Sequence, residues 1–245
     1  MMNNLRQESW YVGNLAGVPM FVHWSVIVLV LLVSTTGGGV EQIILVLIAL
    51  VVGIVLHELG HGLMAKALGA HGITITLWAF GGLCSSRRDP ARLGREIAIV
   101  AAGPAVSLAL WLGSDLTFDL LTKHAPATLF DGRGLSLLGL GLKISASVNM
   151  TLFLFNMMPI YPMDGGQLVY NTALATTRNQ LLARQISLFL AVVGAIAFFA
   201  WRTDLIRILY EGGNVGAWAG QLGMSDLFLA IVLAWILRSA FAILY

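Results

Sequence analysis

The most restrictive feature of this chain is an apolar run that ends in three ionisable residues. Glu41–Leu56 reads EQIILVLIALVVGIVL, and His57, Glu58 and His61 follow in the stretch HELGH. About 20 apolar residues cross a lipid bilayer, so this run predicts a membrane-spanning helix. Ionisable groups inside such a helix are costly and indicate a functional site. The fold must therefore place polar chemistry inside a membrane.

Composition supports an integral membrane protein. Of the 245 residues, 58% are hydrophobic and only 11% are charged, whereas about a quarter of the residues in a soluble domain are charged. The net charge of +2 is too small to indicate a nucleic-acid partner. The single cysteine, Cys84, excludes an intramolecular disulfide. The mixed polar start of the chain indicates no cleavable signal peptide.

The apolar segments predict an all-α polytopic membrane protein with about six membrane-spanning helices. The predicted spans are Val18–Val33, Ile43–Leu68, Glu96–Leu112, Leu135–Met158, Leu182–Trp201 and Leu227–Leu244. Gly69 predicts the C-terminal end of the second span. The pair Gly103-Pro104 predicts an interruption of the third span.

In a short segment after the second span, the residue types alternate with the period of a strand rather than that of a helix. Residues Ile73–Trp78 alternate along the chain and are rich in β-branched side chains, which predicts a strand. Gly81 and Gly82 predict a turn followed by a weaker second strand. We therefore expect a small membrane-associated hairpin here, and an amphipathic connector is the alternative.

Basic residues predict the orientation of the chain. Nine fall on one side of a six-span arrangement and four on the other, and cytoplasmic loops carry the excess of Lys and Arg. We therefore expect both termini and the strand segment in the cytoplasm, at the cell membrane. The nine are Arg6, Lys66, Arg87, Arg88, Arg92, Arg95, Arg178, Arg184 and Arg238, and the four are Lys123, Arg133, Arg202 and Arg207.

The HELGH stretch has the spacing of a metal site. Residues four apart lie on one helix face, so His57 and His61 can both bind one zinc ion. Glu58 lies about 100° round the helix, within reach of a water molecule beside the metal. His57 lies about 21 Å along the helix from Ile43, so the site is inside the membrane but nearer the cytoplasm. The alternative is that HELGH has this spacing by chance and binds no metal.

A catalytic zinc usually has three protein ligands and a water molecule. The candidates for the third ligand are His23, His71 and Asp164, whereas His124 falls on the opposite side of the predicted membrane arrangement. Asp164 follows a segment broken by two prolines, and such backbone is tolerated at membrane depth where it lines a polar cavity. Its alternative role is the N-cap of a helix that begins at Gly165.

These motifs together resemble the site-2 protease family of intramembrane zinc metalloproteases, in its compact prokaryotic form without a PDZ domain. The resemblance extends from Gly17 to about Thr177. The matching residues are His57, Glu58 and His61 for the HExxH motif, Ala102-Gly103-Pro104 for a family element in the third span, and Asn156, Pro159, Pro162, Asp164, Gly165 and Gly166 for the segment N-x-x-P-x-x-P-x-D-G-G.

The resemblance implies a single protease domain over residues 1–245, with a catalytic core at about 43–178 and two further helices at about 182–245. It also implies one Zn²⁺ per chain, bound by His57, His61 and Asp164, with Glu58 as the general base. The expected substrate is a single-span or membrane-associated protein, such as an anti-sigma or pro-sigma factor.

Two further site predictions rest on chemistry. The side-chain amide of Asn156 has two N–H donors and can stabilise the negative charge that develops on a carbonyl oxygen under attack. We also expect an exposed edge of the predicted strand to bind an unwound substrate by strand addition. The substrate-binding residues would be Ile73, Thr74, Ile75 and Thr76.

Two other functions use the same residues. One is a membrane metal-binding or transport protein without hydrolytic activity, and the other is a catalytically silent scaffold that presents a cavity to a partner helix. A transporter needs ligands along a path, whereas the ligands predicted here cluster at one depth. Glu58 further favours hydrolysis, because a metal-binding site alone has no need of a base at that position.

Overall fold

A computed structural model describes residues 8–34, 39–79, 81–87, 93–124 and 133–210, together with residues 212, 214, 223, 226, 230–231, 233–234, 237–238 and 240–242. The chain divides into two compact units, residues 1–155 and residues 156–245.

The first unit contains a four-stranded sheet. Its strands are β1 (Ser9–Leu15), β2 (Val18–His23), β3 (His71–Trp78) and β4 (Gly81–Arg87), in the spatial order β1-β2-β3-β4. β1 and β2 pair antiparallel, β2 and β3 parallel, and β3 and β4 antiparallel. The predicted hairpin after the second span is therefore confirmed as β3 and β4, but the predicted turn at Gly81 and Gly82 is wrong, because both glycines begin β4 and pair with β3. The all-α description is too narrow, because an N-terminal hairpin joins the same sheet.

Four helices belong to this part of the chain, with bounds α1 (Val26–Ser34), α2 (Val40–Ala67), α3 (Leu93–His124) and α4 (Arg133–Asn156). α2 ends as predicted, because Gly69 follows the C-cap residue with a positive φ of 86°. The first predicted span is wrong at its start, since residues 18–23 form β2. Most of these residues are apolar, and apolar residues satisfy a hydropathy criterion whether they form a helix or a strand.

The third predicted span is also corrected. α3 continues without interruption through Gly103 and Pro104, and it extends to His124 rather than to Leu112. Proline removes one backbone N–H from the helix, and membrane helices tolerate this loss when neighbouring groups satisfy the freed carbonyl. Gly103 and Pro104 are both buried inside the protein.

The second unit contains three described helices: α5 (Asp164–Thr177), α6 (Gln180–Arg202) and α7 (Leu205–Tyr210). The side chain of Asn179 caps α6 by accepting a hydrogen bond from the amide of Leu182 at 3.1 Å. Ile160 packs against Ala191 and Ala195 of α6 in a small apolar core. Most of the sixth predicted span, Leu227–Leu244, lies outside the described residues.

Four helices of the described part of the chain are long and apolar enough to cross a membrane: Val40–Ala67, Leu93–His124, Leu137–Asn156 and Gln180–Arg202. They correspond to the second, third, fourth and fifth predicted spans. Large apolar side chains such as Ile44, Ile48 and Val52 of α2 are exposed. Outward-facing apolar side chains are expected of a helix whose solvent is lipid.

The sheet packs against α2. Val18 of β2 and Ile75 of β3 are fully buried and join Ile54 and Leu59 of α2 in one apolar cluster. Leu59 lies between Glu58 and His61 in the chain. The sheet is therefore fixed beside the part of α2 that contains the HELGH residues.

Candidate metal centre

The two histidines of α2 direct one nitrogen each towards a common point. Nε2 of His57 and Nε2 of His61 are 3.2 Å apart, and the ring centroids are 4.9 Å apart in an edge-on arrangement. Both side chains are buried, with 3% and 8% of their surfaces exposed. This convergence follows from the spacing of four residues, which places both side chains on one face of the helix.

Contacts at the other ring nitrogens fix the orientation of both rings. The Nδ1–H group of His61 donates to the backbone carbonyl of Ile99 at 2.8 Å, and Nδ1 of His57 lies 2.9 Å from Oγ of Ser107. A carbonyl can only accept, so His61 carries its proton on Nδ1 and presents a lone pair at Nε2. A second contact of this kind is typical of metal-binding histidines.

The separation of the two Nε2 atoms fits a shared zinc ion. Two nitrogen ligands at about 2.05 Å from one ion, at a tetrahedral angle, are about 3.3 Å apart. The observed separation is 3.2 Å. Because the outer nitrogens of both rings already have hydrogen-bond partners, the two Nε2 atoms can bind Zn²⁺ without rearrangement of the rings.

Gly103 of α3 leaves room for the pair. A Cβ atom at this position would clash with Nε2 of His61 and would lie 2.7 Å from Nε2 of His57. Ile99, Gly103 and Ser107 are spaced by four residues, so they lie on one face of α3. That face provides the Ile99 carbonyl, the space at Gly103 and the Ser107 hydroxyl, all of which lie next to the two histidines.

The close approach of the two helices also involves Gly60. A Cβ atom there would lie 2.8 Å from the carbonyl oxygen of Ala102 and 2.9 Å from Cγ2 of Val106. Distances this short force a shift in the neighbouring backbone. The glycine inside HELGH is therefore needed for the close packing of α3 on α2.

Glu58 lies on a neighbouring face of α2, against the sheet. Its side chain is buried, and the backbone of Gly82 in β4 is so close that a Cβ atom at Gly82 would clash with Cγ and lie 2.8 Å from Oε1. The position of the β3–β4 hairpin therefore determines the space available to the Glu58 carboxylate.

The expected exposed edge of the Ile73–Trp78 strand is wrong. β3 pairs with β2 on one side and with β4 on the other, so it is a central strand. Ile75 is fully buried and Thr76 is nearly so, whereas Ile73 and Thr74 are partly exposed. The terminal strand beside Glu58 in the described sheet is β4. An alternating pattern indicates a strand but contains no information on its neighbours.

The second unit contains the broken segment that was predicted after the fourth span. α4 ends at Asn156, and residues 157–163 form turns before α5 begins at Asp164. A Cβ atom at Gly165 would clash with the backbone of Met157, and one at Gly166 with the backbone at Ile160. The two glycines therefore allow the broken segment to fold back over the first turn of α5.

Asp164 is the first residue of α5, and 8% of it is exposed. The N-cap is Met163, which makes no side-chain capping bond. The alternative role of Asp164 as the cap of a helix beginning at Gly165 is therefore wrong.

The other two candidate ligands have different surroundings. His23 ends β2, with Nδ1 2.7 Å from Oγ of Ser25 and Nε2 3.4 Å from Oε2 of Glu8. His71 begins β3 and is exposed. Both ring nitrogens of His23 thus already contact other side chains of the first unit, which disfavours His23 as the third ligand.

Three groups around the HELGH residues were not predicted from the sequence: the hydroxyl of Ser107 beside His57, the carbonyl of Ile99 beside His61, and the backbone of Gly82 beside Glu58. A signal existed only for Ser107, a polar residue in an apolar helix one turn after Gly103. Ile99 and Gly82 make their contacts through backbone atoms. Such contacts depend on tertiary packing, so the residue types gave no signal.

Comparison with known proteins gives a consistent result. A family model described as peptidase family M50 matches residues 45–118 and 138–200. The Synechocystis sp. protein sll0528, whose name classes it with the zinc metalloproteases, is 34% identical over 193 residues, covering 74% of this chain and 47% of that protein. Zinc metalloprotease MJ0392 of Methanocaldococcus jannaschii is 31% identical over 160 residues, covering 62% of this chain and 42% of that protein.

The chain thus spans about half the length of these curated relatives. A solved structure, a site-2 protease from Methanocaldococcus jannaschii, matches with a TM-score of 0.54 at 23% identity, covering 96% of this chain and 94% of that one. At this level of identity the match shows a shared fold.

The contact between His57 and Ser107 generates a prediction about metal affinity. Ser107→Ala removes the hydroxyl that orients the ring, and loss of such an outer contact weakens metal binding by about 10- to 100-fold. Zinc affinity should be measured by competition with a chelator. Ser114→Ala is the matched control in the same helix, because Ser114 bonds to Ser145 instead. Equal affinity in the two variants would contradict this role of Ser107.

Proposed function

Because the chain belongs to peptidase family M50, we propose that it is an intramembrane zinc metalloprotease that hydrolyses a peptide bond in or near the transmembrane segment of another protein. The observation that carries the proposal lies in the first unit, where Nε2 of His57 and Nε2 of His61 are 3.2 Å apart, a separation that fits one shared zinc ion. Both histidines are buried, so the pair is not an incidental group on the surface. Asp164 of the second unit is the proposed third ligand, and it is buried as well.

We propose that these three side chains bind one Zn²⁺ ion. Two imidazole nitrogens and a carboxylate oxygen match the donor types of catalytic zinc sites, which leave the fourth position open. Zinc bound there would polarise the scissile carbonyl and lower the pKa of a water molecule towards about 7. An ion of this charge also compensates the cost of burying a carboxylate in an apolar environment.

In this mechanism Glu58 is the general base. Its carboxylate accepts a proton from the attacking water and delivers that proton to the nitrogen of the leaving amine. The base needs to remain close to the reacting atoms without becoming a ligand. Its position on the neighbouring face of α2, against Gly82, suits this requirement.

Asn156 has a separate proposed role, which is to donate an N–H to the carbonyl oxygen as negative charge develops there. A fixed amide donor avoids the reorganisation that water would need in the transition state. Asn156 is the last residue of α4, immediately before the broken segment. At the end of a helix a side chain is not confined by a following helical turn, so this position suits an amide that must face a polar site.

The substrate must present an unwound backbone, because a helix conceals its carbonyls in its own hydrogen bonds. We propose that it lies along β4, the terminal strand next to Glu58, rather than along β3 as the pattern of Ile73–Thr76 suggested. Strand addition would replace backbone bonds that the substrate loses on unwinding. Single-span or membrane-associated proteins such as anti-sigma or pro-sigma factors are suitable substrates.

The proposed orientation places the catalytic residues in the cytoplasmic half of the cell membrane and both termini in the cytoplasm. The excess of basic residues on that side supports it.

The general base can be tested with Glu58→Gln. The amide is isosteric with the carboxylate but cannot accept the proton, so zinc content should stay near one per chain while cleavage falls by at least about 100-fold. Purified protein in lipid vesicles should be incubated with single-span anti-sigma and pro-sigma factors, and products identified by mass spectrometry. Zinc is measured by elemental analysis of the same samples.

Wild-type protein should cleave at least one of these substrates, and a chelator should abolish the cleavage. Turnover by Glu58→Gln close to the wild-type rate would contradict the role of the base. Wild-type protein that binds zinc but cleaves none of them would favour the metal-binding alternative.

Asn156→Ala should give a folded, zinc-loaded and slow enzyme. Losing one donor to a developing oxyanion lowers the rate by about 10²–10³-fold, or roughly 2.7–4 kcal/mol. The measurements are kcat, zinc content and Tm, with Asn171→Ala of α5 as the control asparagine. Near-normal cleavage, or loss of zinc along with activity, would show that Asn156 has a different role.

A further inference from the structure

We propose that Ser25, oriented by His23, is a positioning residue for the general base, because it holds the end of the β3–β4 hairpin, whose Gly82 packs against Glu58. This inference rests on the proposed protease function for the role of Glu58. The contacts that support it lie within the first unit of the chain.

The first step is the dependence of Glu58 on the hairpin. Gly82 follows the first residue of β4, and its backbone contacts the Glu58 side chain so closely that no Cβ atom fits between them. The strand pairing places Gly82 opposite Leu77 and Gly81 opposite Trp78. Only two residues therefore connect the strands, and any displacement of that turn displaces the backbone next to the carboxylate.

The second step is the bond that holds the turn. The backbone N–H of Ala79, the first residue of the turn, donates to Oγ of Ser25 at 3.0 Å. Ser25 lies between β2 and α1 and is 54 residues away in the chain. This bond ties the turn to the point where the chain leaves the sheet and enters α1.

The third step is the orientation of the serine hydroxyl. Oγ of Ser25 lies 2.7 Å from Nδ1 of His23, and the backbone N–H of Ser25 donates to the same nitrogen at 3.2 Å. Because Nδ1 accepts from the backbone, it carries no proton, so the serine O–H must donate to it. The serine oxygen is then left to accept from Ala79. The hydrogen bonds thus run in one direction, from Ala79 through Ser25 to His23.

The fourth step is the group that fixes the histidine tautomer. With Nδ1 unprotonated, the proton is on Nε2, which lies 3.4 Å from Oε2 of Glu8. The same oxygen accepts a bond from Nε1 of Trp24 at 3.0 Å. Hydrogen bonds from Trp24 and then from His23 hold the pKa of Glu8 below its usual value, so this carboxylate is ionised. A carboxylate beside Nε2 favours the tautomer with the proton there.

Burial stabilises the contacts among Ala79, Ser25 and His23. His23 and Ser25 are 6% and 8% exposed, so water cannot readily replace their mutual bond. The carboxylate, imidazole and hydroxyl of Glu8, His23 and Ser25 also match the residue types of a serine-hydrolase triad. That function is excluded by geometry, because the hydroxyl is buried and its oxygen already accepts from Ala79.

The test compares Ser25→Ala with Ser25→Thr in the full-length protein, reconstituted in lipid vesicles with the substrate that wild type cleaves. Ser25→Ala removes the acceptor and should lower kcat by about 10- to 100-fold, since small misplacements of reacting groups have effects of this size. KM and zinc content should stay within about twofold of wild type. Ser25→Thr restores the hydroxyl and should recover most of kcat.

Two controls separate positioning from general damage. Ser34→Ala, at the exposed far end of α1, removes a hydroxyl that bonds only to its own helix at Val30 and should leave kcat unchanged. His23→Asn keeps an acceptor near the place of Nδ1 and should retain more activity than His23→Phe. The double variant Ser25→Ala/His23→Phe should be no slower than the slower single variant, because both changes break one chain of contacts.

Hydrogen exchange gives a readout that needs no cleavage. The Ala79 amide should exchange at least about tenfold faster in Ser25→Ala than in wild type, because its acceptor is gone. If wild type cleaves no substrate, the proposed function fails while this measurement still tests the contact. The inference is overturned if Ser25→Ala has wild-type kcat, if Ser25→Thr is as slow as Ser25→Ala, or if Ala79 exchange is unchanged.

Discussion

The close packing of α3 on α2 is the constraint on which the rest of the site depends. Gly60 and Gly103 allow the two helices to approach until the Ile99 carbonyl and the Ser107 hydroxyl reach the two histidines. In an apolar environment a polar group without a partner is strongly destabilising, so these contacts decide whether imidazoles can be held there. A single added methyl group at Gly103 would occupy the space between the two Nε2 atoms and α3.

The sheet supports Glu58, the proposed base, and this support is independent of the contacts that hold the two histidines. Val18 and Ile75 fix the sheet on α2 through apolar burial, while Gly82 sets the space around Glu58. The histidines and the Glu58 carboxylate depend on different neighbours: α3 for the histidines and β4 for the carboxylate. We therefore expect a change at the hairpin to alter the rate of cleavage without altering the metal content.

Hydropathy was sufficient to predict four of the membrane-spanning helices, and residue spacing was sufficient to predict that His57 and His61 converge. The runs that became α2, α3, α4 and α6 are long enough to be identified by length and composition alone. The N-terminal hairpin was missed, because an apolar strand followed closely by an apolar helix reads as one continuous span. The break expected at Gly103-Pro104 was wrong, because packing against α2 keeps the helix regular through the proline.

The sequence predicted the convergence of His57 and His61 within one motif, but it did not predict which groups from other elements contact them. His57 and Ser107 are 50 residues apart in the chain and meet only after α3 has packed on α2. The partners of β3 likewise depend on the parallel pairing with β2, which a local pattern cannot indicate. Tertiary contacts of this kind decide which groups support a ligand and which strand lies at an edge.

The central claim is that one zinc ion is bound by His57, His61 and Asp164, and X-ray absorption at the zinc edge tests it most directly. The spectrum of the purified protein should show nitrogen and oxygen neighbours at about 2.0–2.2 Å, with the outer-shell signature of two imidazoles. Asp164→Ala should lose an oxygen neighbour and retain both imidazoles. A sulfur neighbour at about 2.3 Å, which only a thiolate such as that of Cys84 supplies, or an unchanged first shell in Asp164→Ala, would contradict the account.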